Sequence, residues 1–135
     1  MRTRDGTETI RVMVVDDHGL VRAGLERLLG GADGIEVVAS AANGRDAIEL
    51  CATAAPDVVL MDLSMPGLDG IAATRAIHDR WPGVRVLVLT SFSDRDRILA
   101  ALRAGAVGHL LKDAEPSALF ESVRAAARAP AVSAP

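Results

Sequence analysis

A doubly wound α/β sheet is the fold this chain predicts, on three observations. Short apolar runs rich in valine and leucine alternate five times with amphipathic helical stretches, the pattern of βα units around a parallel sheet. The strand-like runs are mostly continuous in their apolar character, as strands become when helices cover both faces. Four of the five runs stop at polar groups: Asp16-Asp17, Asp62, Thr90 and Lys112. An open parallel sheet binds ligands there, beyond the carboxyl ends of its strands.

Taken in order, residues 1–10 read as a short polar, flexible lead. The first strand is Arg11–Asp16, and the first helix is Leu20–Leu29, with Leu20, Val21, Leu25, Leu28 and Leu29 on one stripe and Gly30-Gly31 as its stop. The second strand is Ile35–Ser40. Asn43-Gly44 marks the turn into a helix over Gly44–Ala54, which carries Cys51 at an apolar stripe position where a packed core thiol is expected. The third strand, Asp57–Met61, leads through the loop breakers Pro66-Gly67 and Asp69-Gly70 into a helix over Ile71–Arg80. His78 is placed on that helix's polar side. Pro82-Gly83 precedes the fourth strand, Arg85–Thr90. The fourth helix, Asp94–Ala104, presents Arg95, Arg97 and Arg103 as a solvated face and stops at Gly105. Gly108–Leu111 is the fifth strand, and Pro116 opens a final helix over Ser117–Arg128. The Ala/Pro-rich residues 129–135 read as the start of a linker or tail. The core domain is thus expected over residues 11–128.

Composition narrows the function. The 135 residues suit one domain, and half of them are hydrophobic. A net charge of −3 gives no broad attraction to nucleic acid or anionic lipid. The aromatics are Trp81, Phe92 and Phe120, with no tyrosine, so base-stacking platforms are not expected. No apolar run reaches the roughly 18 residues of a membrane span, the start lacks a signal-like apolar region, and the lone cysteine fits a reducing cytoplasm.

The polar strand ends suit one chemistry. Three converging carboxylates need a cation, and Mg2+ is the usual oxygen-seeking choice. A carboxylate accepts a phosphoryl group when a dication and an ammonium neutralise the charge that develops. Asp62 is the candidate acceptor, because it ends the most buried strand. Asp17 and Asp16 would hold Mg2+ beside it, directly or through water. Lys112 supplies a point charge for one phosphoryl oxygen and the Thr90 hydroxyl a hydrogen bond for another, while small Ser91 leaves room. His18 reads as a solvated helix-start residue.

The segments V-V-D-D-H, V-V-L-M-D-L-S-M-P-G-L-D-G, V-L-T-S and G-H-L-L-K-D, in this order over residues 10–128, resemble those of bacterial response-regulator receiver domains. The resemblance implies a flavodoxin-like (βα)5 fold with a five-stranded parallel sheet of order 2-1-3-4-5. It implies that Asp62 takes phosphate from a sensor histidine kinase. Mg2+ would be ligated by Asp17, Asp62 and the backbone carbonyl of Ser64, with Asp16 assisting. Thr90 and Lys112 would report the phosphoryl group, and Pro66, Gly67 and Gly70 would shape the loop beside it. D-D-H, R-A-G-L and L-K-D are similar to the LuxR/NarL (FixJ) subfamily of transcriptional regulators, in which phosphorylation promotes homodimerisation and an attached helix-turn-helix domain binds DNA. No such domain lies within these 135 residues, so the chain reads as an excised or a stand-alone receiver. The family implies a cytoplasmic phosphoacceptor with slow self-dephosphorylation rather than an enzyme, and no membrane partner.

Two positions depart from the family. His109 stands where an aromatic ring usually swings inward on activation; imidazole is smaller and can carry charge, so a weakened or pH-sensitive switch is expected. Asp113 follows Lys112 where many receivers have a proline in a cis peptide, and a non-proline cis bond costs about 3 kcal/mol. An alternative, an aspartate-nucleophile phosphatase, needs a second aspartate two residues after Asp62, where Ser64 stands. Flavin binding needs a phosphate loop after the first strand, where Asp16-Asp17 would repel phosphate.

Overall fold

The protein is described by a computed structural model over residues 9–65, 70–91 and 95–130. Five strands, β1 (Ile10–Val15), β2 (Ile35–Ala41), β3 (Val58–Asp62), β4 (Arg85–Thr90) and β5 (Gly108–Leu111), alternate with five helices. These are α1 (Gly19–Gly30), α2 (Gly44–Ala54), α3 (Gly70–Arg80), α4 (Arg95–Arg103) and α5 (Pro116–Arg128). The sheet is all parallel in the order β2-β1-β3-β4-β5. This is the flavodoxin-like order predicted, and every predicted element end lies within one residue of the observed one. Pro66, Gly67 and Phe92, the expected lead over residues 1–8 and the last five tail residues lie outside the described residues. Ile10 already belongs to β1, and the Ala129 carbonyl accepts from Arg85 Nε at 2.9 Å.

Strand alternation splits the core in two. Met13, Val15, Val59, Met61, Val86 and Val88 face α2, α3 and α4, meeting Ala47, Cys51, Ala73, Ile77 and Ala101. Val12, Val14, Val58, Leu60, Leu87 and Leu89 face the other way, onto Leu29 of α1 and Leu119, Val123 and Ala126 of α5. Both faces are covered, which is why the strands show no polar alternation.

Helix ends follow local chemistry. Asn43 caps α2 by accepting from Asp46 N at 2.8 Å. Gly105 ends α4 at φ +118, a conformation that glycine adopts without strain. Gly31, at φ −90, is not left-handed; the positive φ falls on Gly34 instead. The end of α2 was not anticipated: Ala55 is left-handed at φ 48, and Arg11 donates to the carbonyls of Ala54 and Ala55. Pro56 then prevents the helix from continuing.

His78 corrects the sequence reading. It is buried, not on a polar face. The buried positions of α3 are Gly70, Ala73, Thr74, Ile77 and His78, an i, i+3, i+4, i+7, i+8 stripe. Periodicity, rather than residue polarity, placed it. It packs on Gly105, where an added Cβ would stand 2.5 Å from the imidazole Cγ.

Candidate phosphoryl and metal site

The strand order brings the polar termini together. β1 lies between β2 and β3, so the chain leaves it in opposite directions on either side, the reversal at which open α/β sheets bind ligands. Asp16 and Asp17 follow β1 and Asp62 ends β3, across that crevice. Thr90 ends β4 and Lys112 follows β5, one and two strands away.

Asp16 and Asp62 are completely buried, Asp17 is 26% exposed and Lys112 28%. The Lys112 ammonium stands 3.0 Å from Asp62 Oδ1 and 3.8 Å from Asp16 Oδ2. Asp62 Oδ1 also accepts from Ser64 N at 3.0 Å, and Asp16 Oδ1 accepts from His18 N at 2.9 Å. These two turns hold one oxygen of each carboxylate with its own loop. Arg22 Nη1 donates to the Asp16 carbonyl at 2.7 Å. The Thr90 hydroxyl donates to the Ser91 carbonyl at 3.2 Å, and Lys112 N donates to the Thr90 carbonyl at 3.0 Å, which links the ends of β4 and β5.

The other carboxylate oxygens are the informative ones. Asp62 Oδ2 and Asp16 Oδ2 are buried without a hydrogen-bond donor, and Asp17 Oδ1 likewise makes no hydrogen bond although His18 Nδ1 lies 3.2 Å away. The Lys112 ammonium reaches two of the three carboxylates, those of Asp62 and Asp16. Buried anionic oxygens without donors are costly unless a cation takes them up. Asp16, Asp17, His18 and Asp62 each offer a ligand atom, all within 4.8 Å of one another, and a hard dication fits this donor set.

Every predicted site residue among the described ones lies at this end of the sheet except His109. That residue is exposed on β5, opposite Val88 in the β4 register. Gly70 is in the site wall: an added Cβ would overlap the Asp62 carbonyl oxygen and reach to 3.0 Å from Leu63 Cα. No peptide bond among the described residues is cis, so Lys112–Asp113 is trans. Two functional neighbours differ from the sequence reading. His18, 67% exposed, has its imidazole against the acidic pair; its place directly after Asp16-Asp17 was the available signal. Arg97 is half-buried and donates through Nη2 to the Leu63 carbonyl, so it is not merely a solvated residue. That contact joins residues 34 apart in sequence, and no local pattern encodes it. No helix among the described residues is long and apolar enough to cross a membrane.

The family model for the response regulator receiver domain matches residues 12–124. The response regulator UvrY of Escherichia coli K12 is 44% identical over 115 residues, covering 85% of this chain and 53% of that protein. The signal receiver domain of the response regulator NarL from Mycobacterium tuberculosis superposes with TM-score 0.86 at 36% identity, covering 91% of this chain and 99% of that one. A LuxR-family two-component response regulator from Aurantimonas gives TM-score 0.84 at 39% identity, covering 89% and 86%. The chain spans about half the length of the curated relatives it matches.

Proposed function

Because the chain belongs to the response regulator receiver domain family, with LuxR/NarL-type regulators as its homologues, we propose that it is a phosphoryl-accepting switch with Asp62 as acceptor. One observation carries this reading: Asp62 is fully buried, yet one oxygen faces the Lys112 ammonium at 3.0 Å and the other has no donor at all. A buried carboxylate with one oxygen paired and the other unsatisfied at a strand end is suited to attack rather than to structure.

In the reaction, an Asp62 oxygen forms the bond to phosphorus. The donor's phosphorus–nitrogen or phosphorus–oxygen bond breaks, and its electron pair leaves with the donor. Asp16, Asp17, Asp62 and the Ser64 carbonyl would hold Mg2+, which supplies charge neutralisation between the carboxylates and the phosphoryl oxygens. Lys112 pairs with a second phosphoryl oxygen. Thr90 turns its hydroxyl from the Ser91 carbonyl toward a third, and exposed Ser91 leaves that approach open. Since Lys112 N is bonded to the Thr90 carbonyl, this turn is passed to β5 and His109. The product is a conformational shift, not turnover of an external substrate, and water removes the phosphoryl group slowly.

The donor in this reading is a sensor histidine kinase. Val21 and Leu28 of α1, with Leu111 at the end of β5, are exposed apolar residues lining a groove beside Lys112 that suits such a partner. The output is homodimerisation, which brings paired DNA half-sites within reach of helix-turn-helix domains outside these 135 residues. The protein works in the cytoplasm.

The test is intact mass after incubation with acetyl phosphate and Mg2+, for wild type and Asp62→Ala. One phosphoryl group on wild type alone, absent with EDTA, is the expected result. An adduct that persists in Asp62→Ala, or none on a wild type shown to bind Mg2+, would overturn the reading.

A further inference from the structure

A histidine nitrogen lies among the carboxylate oxygens of the acidic cluster. His18 is the N-cap residue of α1, but its side chain makes no capping hydrogen bond. The backbone N–H of His18 is tied instead to Asp16 Oδ1 at 2.9 Å, which anchors the residue over the acidic pair. Its Nδ1 stands 3.2 Å from Asp17 Oδ1 and 3.5 Å from Asp16 Oδ1. At 67% exposure the ring is free to turn with little loss of packing. Asp62 Oδ2 and Asp16 Oδ2 are buried, donorless and part of the same cluster.

Distances decide whether one ion can reach all four groups. Two ligands on opposite sides of an ion with bonds of about 2.1 Å stand about 4.2 Å apart. The four donor atoms lie within 4.8 Å of one another, so small side-chain rotations close the shell. Mg2+ takes oxygen donors and keeps its waters; imidazole suits later first-row divalent ions, and affinity rises along the series from Mn2+ to Cu2+.

We propose that His18 is a nitrogen ligand of this site, so that the site takes Mn2+ and later divalent ions in preference to Mg2+. This deepens the reading under Proposed function and rests on it for the carboxylate ligands. The imidazole adds selectivity; the carboxylates remain sufficient for Mg2+.

Pulsed electron paramagnetic resonance of Mn2+ bound to the full chain tests this directly, with Mn2+ and Mg2+ affinities measured by calorimetry alongside. Expected are nitrogen modulations from a directly bound imidazole in wild type, lost in His18→Ala, and a Mn2+-over-Mg2+ preference that falls by roughly tenfold or more in that variant. Even an outer-shell partner of a metal site contributes that much. Nitrogen modulations that persist in His18→Ala would place the signal on another histidine and overturn the proposal. Their absence from wild type, in a protein that still takes a phosphoryl group on Asp62 with Mg2+, would overturn it while leaving the switch reading intact. Their absence together with no phosphoryl adduct would overturn both.

Discussion

The backbone of Gly70 packs against the carbonyl of Asp62 so closely that a single added carbon would overlap the oxygen. The first residue of α3 therefore sets the position of the end of β3 that carries Asp62. Gly70→Ala cannot be absorbed by a rotamer, because both sides of the contact are backbone. The variant is expected to lose about 1–3 kcal/mol of stability. It should also accept phosphate from acetyl phosphate much more slowly, as Asp62 is pushed away from Lys112. Denaturant unfolding and a time course of intact mass measure the two effects. An unchanged rate with unchanged stability would show that the loop yields freely.

Three clustered carboxylates, only two of them reached by an ammonium, should make the site a source of instability when no divalent ion is bound. Asp17 is the member farthest from compensation, since Lys112 reaches Asp62 and Asp16. Asp17→Asn is expected to raise stability by about 1–2 kcal/mol in EDTA. The same change should abolish most of the stabilisation that Mg2+ gives wild type, because a ligand is gone. Urea midpoints with EDTA and with saturating Mg2+ check both halves. A variant less stable than wild type in EDTA would mean that the carboxylates do not repel one another.

Both the fold and the carboxylate–lysine set were legible because each rests on local pattern. Continuous apolar strands, amphipathic helices and polar strand ends are short-range features; the sheet order came from the resemblance to receiver domains, because right-handed crossovers fix the side of each helix and not the order of the strands. What was not legible depends on distance or on context. Ala55 adopts a left-handed conformation although nothing in A-A-P marks it; the Arg11 guanidinium, 44 residues away in sequence, takes up the freed carbonyls. Arg97 reaches Leu63 across the sheet edge for the same kind of reason. His78 was legible but was read by its polarity, when its spacing from Gly70, Ala73, Thr74 and Ile77 already placed it inside. His18 was discounted for being exposed at a helix start; the structure keeps the exposure and adds the contact with Asp17.

Burial pushes the Cys51 thiol up from 9.0 to about 11, with the Arg80 guanidinium offsetting part of the rise. The folded chain thus holds the proton longer than the unfolded chain does. Its contribution to stability is fully present below pH 9 and is lost as pH rises through 11. The loss is on the order of 2–3 kcal/mol across that window. Denaturant unfolding of wild type and Cys51→Ala below and above the window should give a steeper decline for wild type. At pH 8 the native thiol should resist a thiol reagent that modifies the unfolded chain within minutes.

Arg97 ties the first turn of α4 to the loop that follows Asp62, through the Leu63 carbonyl. Removing the guanidinium leaves that carbonyl without this donor and frees the loop. Arg97→Ala is expected to lower stability by about 1 kcal/mol. Amide exchange should become faster at Ser64 and Met65, where Ser64 N is bonded to Asp62 Oδ1. Exchange confined to α4, with Ser64 and Met65 unchanged, would show that the contact steadies the helix and not the segment after Asp62.

His109 shares a strand face with Thr90, because Val88 pairs with His109 and Thr90 with Leu111, and side chains repeat every two residues. In this structure the imidazole is exposed. In the proposed switch, a turn of the Thr90 hydroxyl toward a phosphoryl group would vacate space on the face that it shares with Val88 and His109. A phenol ring moving inward would bury more apolar area there than an imidazole does, so His109 makes the inward state less favourable. His109→Tyr should therefore strengthen phosphorylation-linked dimerisation by several-fold and remove any pH dependence that the imidazole imposes. Sedimentation of both proteins, with and without acetyl phosphate at acidic and basic pH, measures it. Identical association of the two proteins under all four conditions would mean that position 109 takes no part in the switch.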